Sequence, residues 1–154
     1  MLNFSKSLNR WNFESRSRMP AAGSSQPRIS LLCVEDDPDF RDIIRLMISK
    51  SFPDMEILLA ENGMIGLDVF REHKPQIVMT DIKMPVMDGV TMIGEIKALC
   101  HETKIIIVAG DCNADYLLND KEIDHCVVKP LNYKILCAII DKCIAGISSK
   151  NPDS

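Results

Sequence analysis

The chain has 154 residues, 46 % of them apolar and 26 % charged, with a formal net charge of −4. That is one domain's worth of sequence with enough apolar material for a core, which excludes a fibrous or wholly disordered polymer. No apolar run reaches bilayer length, no export signal opens the chain, and beyond residue 28 the balance is acidic, which disfavours nucleic acid; a cytoplasmic location without a membrane span is the expectation.

Residues 1–28 read as a flexible basic tail, with Lys6, Arg10, Arg16, Arg18 and Arg28 against the one acid Glu14. The stretch from Pro20 to Pro27 has linker composition. Trp11, Leu2, Phe4, Leu8 and Phe13 share no single helical face, and Met19 offers an alternative start. From Ile29 the pattern alternates. Ile29–Val34 predicts a strand; Asp37-Pro38 supplies a cap and a first-turn proline for a helix whose apolar positions are Phe40, Ile43, Ile44, Met47 and Ile48. Met55–Ala60 predicts a second strand. Asn62 caps a second helix with Ile65, Leu67, Val69 and Phe70 inward. Gln76–Thr80 is a third strand, Val90–Leu99 a third helix, and Lys104–Ala109 a fourth strand. A weak helix over Ala114–Asn119 and a fifth strand over His125–Val128 follow. Asn132 opens the last helix, with Ile135, Leu136, Ile139, Ile140, Cys143, Ile144 and Ile147 on its apolar side.

Five short apolar strands alternating with five helices predict an α/β fold: a doubly wound, five-stranded parallel sheet of flavodoxin-like order 2-1-3-4-5. The domain spans 29–147, and 148–154 form a short C-terminal tail, so a stand-alone domain is expected. Six cysteines are scattered without a C-x-x-C pair, mostly in apolar runs, and read as reduced thiols; with His73, His101 and His125 they show no zinc spacing.

In such a sheet, ligands bind beyond the carboxyl ends of the strands. The first strand ends in Glu35-Asp36-Asp37, the third in Asp81, the fourth in Ala109-Gly110-Asp111 and the fifth in Lys129-Pro130. Converging carboxylates repel unless a cation sits among them, and Mg2+ suits one or two carboxylates plus a phosphate oxygen. An aspartate beside such an ion acts as a nucleophile towards phosphorus, and a lysine stabilises the phosphoryl oxygens. The residues alone thus point to a magnesium-dependent phosphoacceptor aspartate. A bland alternative exists for each residue taken singly, since acids after strands often cap helices.

The segments Val34-Glu35-Asp36-Asp37-Pro38, Thr80-Asp81-Ile82-Lys83-Met84-Pro85-Val86-Met87-Asp88-Gly89 and Val128-Lys129-Pro130 resemble the receiver domains of bacterial two-component response regulators, in order, over residues 29–147. The resemblance implies that Asp81 is phosphorylated and that Asp36 binds Mg2+ directly, Glu35 through water and Lys83 through its backbone carbonyl. It further implies that Lys129 pairs with the phosphoryl group. The donor would be a sensor histidine kinase or a histidine phosphotransfer protein, and the downstream protein target stays open. The domain would be consumed stoichiometrically in a phosphorelay rather than act as an enzyme. Two switch positions depart from the family: Ala109 stands where Thr or Ser is usual, and Cys126 where an aromatic is frequent. The alternative is a phosphorylation-independent interaction module. A haloacid-dehalogenase-type phosphatase is disfavoured, because Lys83 occupies the place of its second aspartate.

Overall fold

The computed structural model describes residues 28–112 and 121–150. The helix expected over 114–119 lies outside them, as do the tail up to residue 27 and residues 151–154. The described elements are β1 (Ser30–Val34), α1 (Pro38–Ser51), β2 (Glu56–Ala60), α2 (Gly63–His73), β3 (Ile77–Asp81), α3 (Gly89–Leu99), β4 (Lys104–Ala109), β5 (His125–Val128) and α4 (Tyr133–Ser149). The described residues thus carry four helices where five were expected along the whole chain. No described helix is long and apolar enough to cross a membrane.

The strands form one parallel sheet in the order β2-β1-β3-β4-β5. The order reverses between β1 and β3, which opens a crevice at their carboxyl ends. Alternate strand residues point to opposite faces, and both faces are covered, so the strands are apolar almost throughout. Leu32, Val34, Val78, Ile105 and Ile107 pack with Phe70, Ile93 and Ile96 on one face. Leu31, Cys33, Ile77, Met79, Ile106 and Val108 pack with Ile44, Ile48, Leu136 and Ile140 on the other.

Each described helix starts on a short side-chain oxygen that accepts from the first turn. Asp37 takes the N–H groups of Asp39 and Phe40, Asn62 that of Ile65, Asp88 that of Thr91 and Asn132 that of Ile135. Such a cap is worth about 1 kcal/mol and fixes where the chain turns from strand end into helix.

Two inward positions read from the periodicity turn out exposed: Ile43 is 47 % and Ile135 53 % accessible. Both sit one residue from the centre of the buried stripe, which runs through Ile44 and Ile48 in α1 and through Leu136, Ile140 and Cys143 in α4. A step of about 100° per residue carries a neighbour to the rim. At the ends, α4 runs two residues past the expected boundary at 147. Arg28, read as tail, hydrogen-bonds through Nε to the Asp54 carbonyl at 2.7 Å.

Candidate functional site

The crevice is built from three strand ends. β1 runs straight into Glu35, whose backbone N–H bonds the Ala60 carbonyl at 3.0 Å and whose carbonyl accepts from Arg41 Nη1 at 2.7 Å. These ties leave the Glu35 side chain 3 % exposed, with Oε1 accepting from the Asp37 N–H at 3.2 Å. Asp36, next in the chain, is exposed. Asp81 closes β3; its Oδ1 accepts from the Ile82 N–H at 2.7 Å, and its Oδ2 from Lys129 Nζ at 2.8 Å.

Lys129 follows β5 and is anchored by its N–H to the Ala109 carbonyl at 2.8 Å. The Lys129–Pro130 peptide bond is cis. The ammonium also lies 3.9 Å from Glu35 Oε2 and 5.0 Å from the centre of the Phe40 ring. Burial alone would lower the pKa of Lys129, but the hydrogen bond and charge of Asp81, with Glu35 and Asp36 behind it, hold it above its ordinary value.

Glu35, Asp36 and Asp81 each offer one oxygen, all within 4.8 Å of one another. The crowding has a cost that is visible in Glu35. Burial first, then the hydrogen bond that the protonated Glu35 donates to Asp36 and the charge of Asp81, outweigh the Asp37 N–H and Lys129 and push its carboxyl up to about 7. One lysine does not neutralise three carboxylates. An all-oxygen set, partly buried and short of positive charge, fits a hard divalent cation of the magnesium class.

The loop after β3 is held by close backbone approach. The Gly89 N–H donates to the Ile82 carbonyl at 2.8 Å, and a Cβ on Gly89 would lie 2.1 Å from the Asp81 carbonyl oxygen. Within the loop Met87 N–H bonds the Pro85 carbonyl at 2.8 Å, leaving Val86 at φ 71°, a left-handed backbone that a β-branched residue rarely adopts. Lys83 is exposed, two residues beyond Asp81.

The structure therefore gathers Glu35, Asp36, Asp81 and Lys129 at one edge and sets Lys83 in the adjoining loop. Ala109 is 5 % exposed, and Cys126 packs half-buried against the same core face. One expectation is overturned. The six cysteines were read as reduced thiols, but Cys112 and Cys126 are joined in a disulfide with a Cα–Cα distance of 5.9 Å; Cys33, Cys100, Cys137 and Cys143 are free. The pair is separated by 14 residues and meets only because β5 lies alongside β4, where Cys126 is in register with Ile107. No motif in the sequence announces such a meeting. Phe40 beneath Lys129 and Arg41 on the Glu35 carbonyl carry no signal in the sequence, which marks Phe40 only as an apolar helix position and Arg41 not at all.

A parallel sheet with its acidic crevice at the reversal of strand order, faced by one lysine, defines a doubly wound α/β domain suited to a cation and an anionic group together. Comparison with known proteins makes this specific: a family model described as the response regulator receiver domain matches residues 31–141, and the chain belongs to that family. It is 35 % identical to the chemotaxis protein CheY of Bacillus subtilis over 80 residues, 52 % of this chain and 66 % of that protein. It is 27 % identical to the probable C4-dicarboxylate response regulator DctR of Priestia megaterium over 108 residues, 68 % of this chain and 47 % of that one. The chain thus spans about half the length of such curated relatives. Among solved structures, the receiver domain of the sensor histidine kinase PA1611 of Pseudomonas aeruginosa, with a magnesium ion in its active-site cleft, superposes with a TM-score of 0.68 at 21 % identity, covering 77 % of this chain and 99 % of that one.

Proposed function

We propose that this receiver domain accepts a phosphoryl group on Asp81, with Mg2+, from a sensor histidine kinase or a histidine phosphotransfer protein in the cytoplasm. The observation that carries the reading is the position of the Asp81 carboxylate, 2.8 Å from Lys129 Nζ and within 4.8 Å of ligand oxygens of Glu35 and Asp36. A structural acid at a strand end needs neither neighbour. Glu35, Asp36, Asp81 and the Lys83 carbonyl would hold the ion, which when bound supplies positive charge to the incoming phosphoryl oxygens.

The steps of this chain's own residues follow. Oδ1 of Asp81 is fixed by the Ile82 N–H, and Oδ2 is held by Lys129. A carboxylate oxygen attacks phosphorus, the P–N bond of the donor's phosphohistidine breaks, and the imidazole leaves with the electron pair and takes up a proton. Lys129 moves its ion pair from Asp81 to the new phosphoryl oxygens, because the acyl phosphate carries the larger charge there. The acceptor unit covers residues 29–147, with the last helix continuing to Ser149. The acidic balance of the body favours a protein target downstream over nucleic acid.

The test is intact mass after incubation with acetyl phosphate and Mg2+. One phosphoryl adduct is expected on the wild type, and none on Asp81→Asn or after chelation. An adduct that persists in Asp81→Asn refutes the assignment. A second reading, a phosphorylation-independent interaction module, draws on Ala109, which offers no hydroxyl, and on the disulfide at Cys126. It predicts no adduct and no response to beryllofluoride.

A further inference from the structure

The β4–β5 edge carries a second pair of chemically competent side chains that the acceptor reading does not use. Of the six cysteines, Cys33 and Cys143 are buried, and burial pushes their thiols up to about 12 and about 11, so they are inert. Cys100 and Cys137 are free. Cys112 and Cys126 are both half-buried, within reach of a small thiol reagent, and their Cα atoms stand 5.9 Å apart, inside the range that a disulfide spans without backbone movement.

Their place in the fold gives the link a consequence. Cys112 lies three residues beyond Ala109, the last residue of β4. Cys126 lies in β5, three residues before Lys129. Below the link, β5 is joined to β4 by the Asp124 N–H to the Ile105 carbonyl at 3.0 Å and by the Ile105 N–H to Asp124 Oδ2 at 2.8 Å. At the end of the paired stretch, the Lys129 N–H bonds the Ala109 carbonyl. The cross-link ties Cys112, past the last residue of β4, to Cys126, which lies within the paired stretch opposite Ile107. It ties down the strand end whose carbonyl positions the site lysine.

We propose that Cys112 and Cys126 form a reversible two-electron redox site, whose disulfide fastens the carboxyl end of β4 to β5 and whose reduction releases it. In the cytoplasmic location proposed above, a disulfide is usually transient and catalytic or redox-sensing. The oxidant is a small disulfide acting by exchange. The thiolate of one cysteine attacks its S–S bond, forming a mixed disulfide and expelling one thiolate. The second cysteine attacks the mixed disulfide and expels the other. Overall, two protein thiols and one small disulfide give the protein disulfide and two small thiols, so the protein is oxidised by two electrons and the reagent reduced by two. The influence on Asp81 rests on the acceptor reading; the redox site itself does not.

The experiment uses the full chain carrying Cys100→Ser and Cys137→Ser, which removes the other reachable thiols. The protein is equilibrated in glutathione buffers of increasing oxidised fraction, alkylated and mapped by mass spectrometry, with hydrogen exchange followed over residues 105–112 and 121–129. Cys112 and Cys126 are expected to leave the alkylatable pool together as one cross-linked peptide, to return with dithiothreitol, and to slow exchange at both strand ends when linked. Adding Cys112→Ser, or Cys112→Ala should the serine disturb the loop, abolishes the response. Acetyl phosphate labelling, run on both states, should differ by about fivefold or more, the low end of ordinary coupling between sites. Failure to cross-link at any glutathione ratio, or cross-linking with unchanged exchange, overturns the proposal even if Asp81 is labelled normally. Absence of labelling in both states overturns the acceptor reading and leaves the redox site to be decided by mapping and exchange.

Discussion

The two sides of the crevice are built on different terms. On the β1–β3 side, Glu35, Asp36 and Asp81 sit at the carboxyl ends of strands packed on both faces, and the loop after Asp81 is pinned by Gly89 against the Asp81 carbonyl. On the β4–β5 side the site contributes one lysine from a half-exposed strand, and the neighbouring features are an alanine and a disulfide. Phosphoryl chemistry depends on three oxygens and a cation at fixed distances, which tolerate little displacement. Transmitting the event needs only some element that moves, and different residues serve. The contrast teaches that in this chain the acids are held by packing on both sheet faces, whereas the β4–β5 side is held by few hydrogen bonds and one covalent tie.

The largest effects should fall on the acidic side. In Gly89→Ala the new Cβ meets backbone, not a side chain that could swing away, so the loop or β3 must shift. The expected loss is about 3 kcal/mol in urea unfolding, with labelling of Asp81 lost as well. Gly110→Ala on the other side adds a Cβ with no atom of the described residues within 4 Å and should stay within about 0.5 kcal/mol of wild type. Equal losses in the two variants would erase the distinction. Reduction of the disulfide comes next. Opening a covalent loop of 14-residue separation should lower stability by about 2 kcal/mol, read as a fall in the urea midpoint on adding dithiothreitol that Cys112→Ser abolishes.

The acidic side also carries a pH signature. Burial and the neighbouring acids push the folded Glu35 carboxyl up to about 7, above the ordinary glutamate range. Folding therefore favours the protonated form. Its contribution to stability is complete below the unfolded value and is lost as pH rises through about 7. A bound cation reverses the preference, because it needs the carboxylate. Magnesium affinity should thus rise with pH up to about 7 and level off above, weakening by ~10-fold per pH unit below it. Glu35→Gln should flatten that profile in calorimetric titrations. An unchanged slope in the variant would move the titration to another group.

Most of this architecture is written locally. The strands are short apolar runs, the helices start at Asp37, Asn62, Asp88 and Asn132, and each acid or lysine of the site stands next to a strand end, so chain order alone brings them to one edge. What stayed hidden depends on register between distant segments. Cys112 and Cys126 meet only across the β4–β5 pairing, and Phe40, in the first turn of α1, reaches Lys129 only because that helix packs on the sheet face from the end of β1. The raised pKa of Glu35 belongs to the same class, since nothing in Val34-Glu35-Asp36 tells that the first acid is buried and the second exposed. Ile43 and Ile135 illustrate a limit of another kind: periodicity finds the buried stripe but not its width.

The smallest effect separates the two sides most cleanly. Asp88 caps α3 directly after the Asp81 loop, and Asn132 caps α4 directly after Lys129-Pro130. Near neutral pH, Asp88→Ala and Asn132→Ala should each cost about 1 kcal/mol, because each removes one acceptor from a helix's first turn. Their pH dependence differs. The Thr91 N–H, helped by the Thr91 hydroxyl, holds the Asp88 carboxyl below the usual aspartate range. A depressed folded pKa gives stability that is present above the unfolded value and is lost as pH falls through the folded one. The Asp88→Ala loss should therefore shrink on acidification, towards the smaller part that the acceptor oxygen of the neutral carboxyl still contributes. The Asn132 amide does not titrate, so the Asn132→Ala loss should persist at every pH. Denaturant midpoints across the acid range read both curves. Parallel curves would mean that Asp88 acts through its shape alone and that its charge contributes nothing at the start of α3.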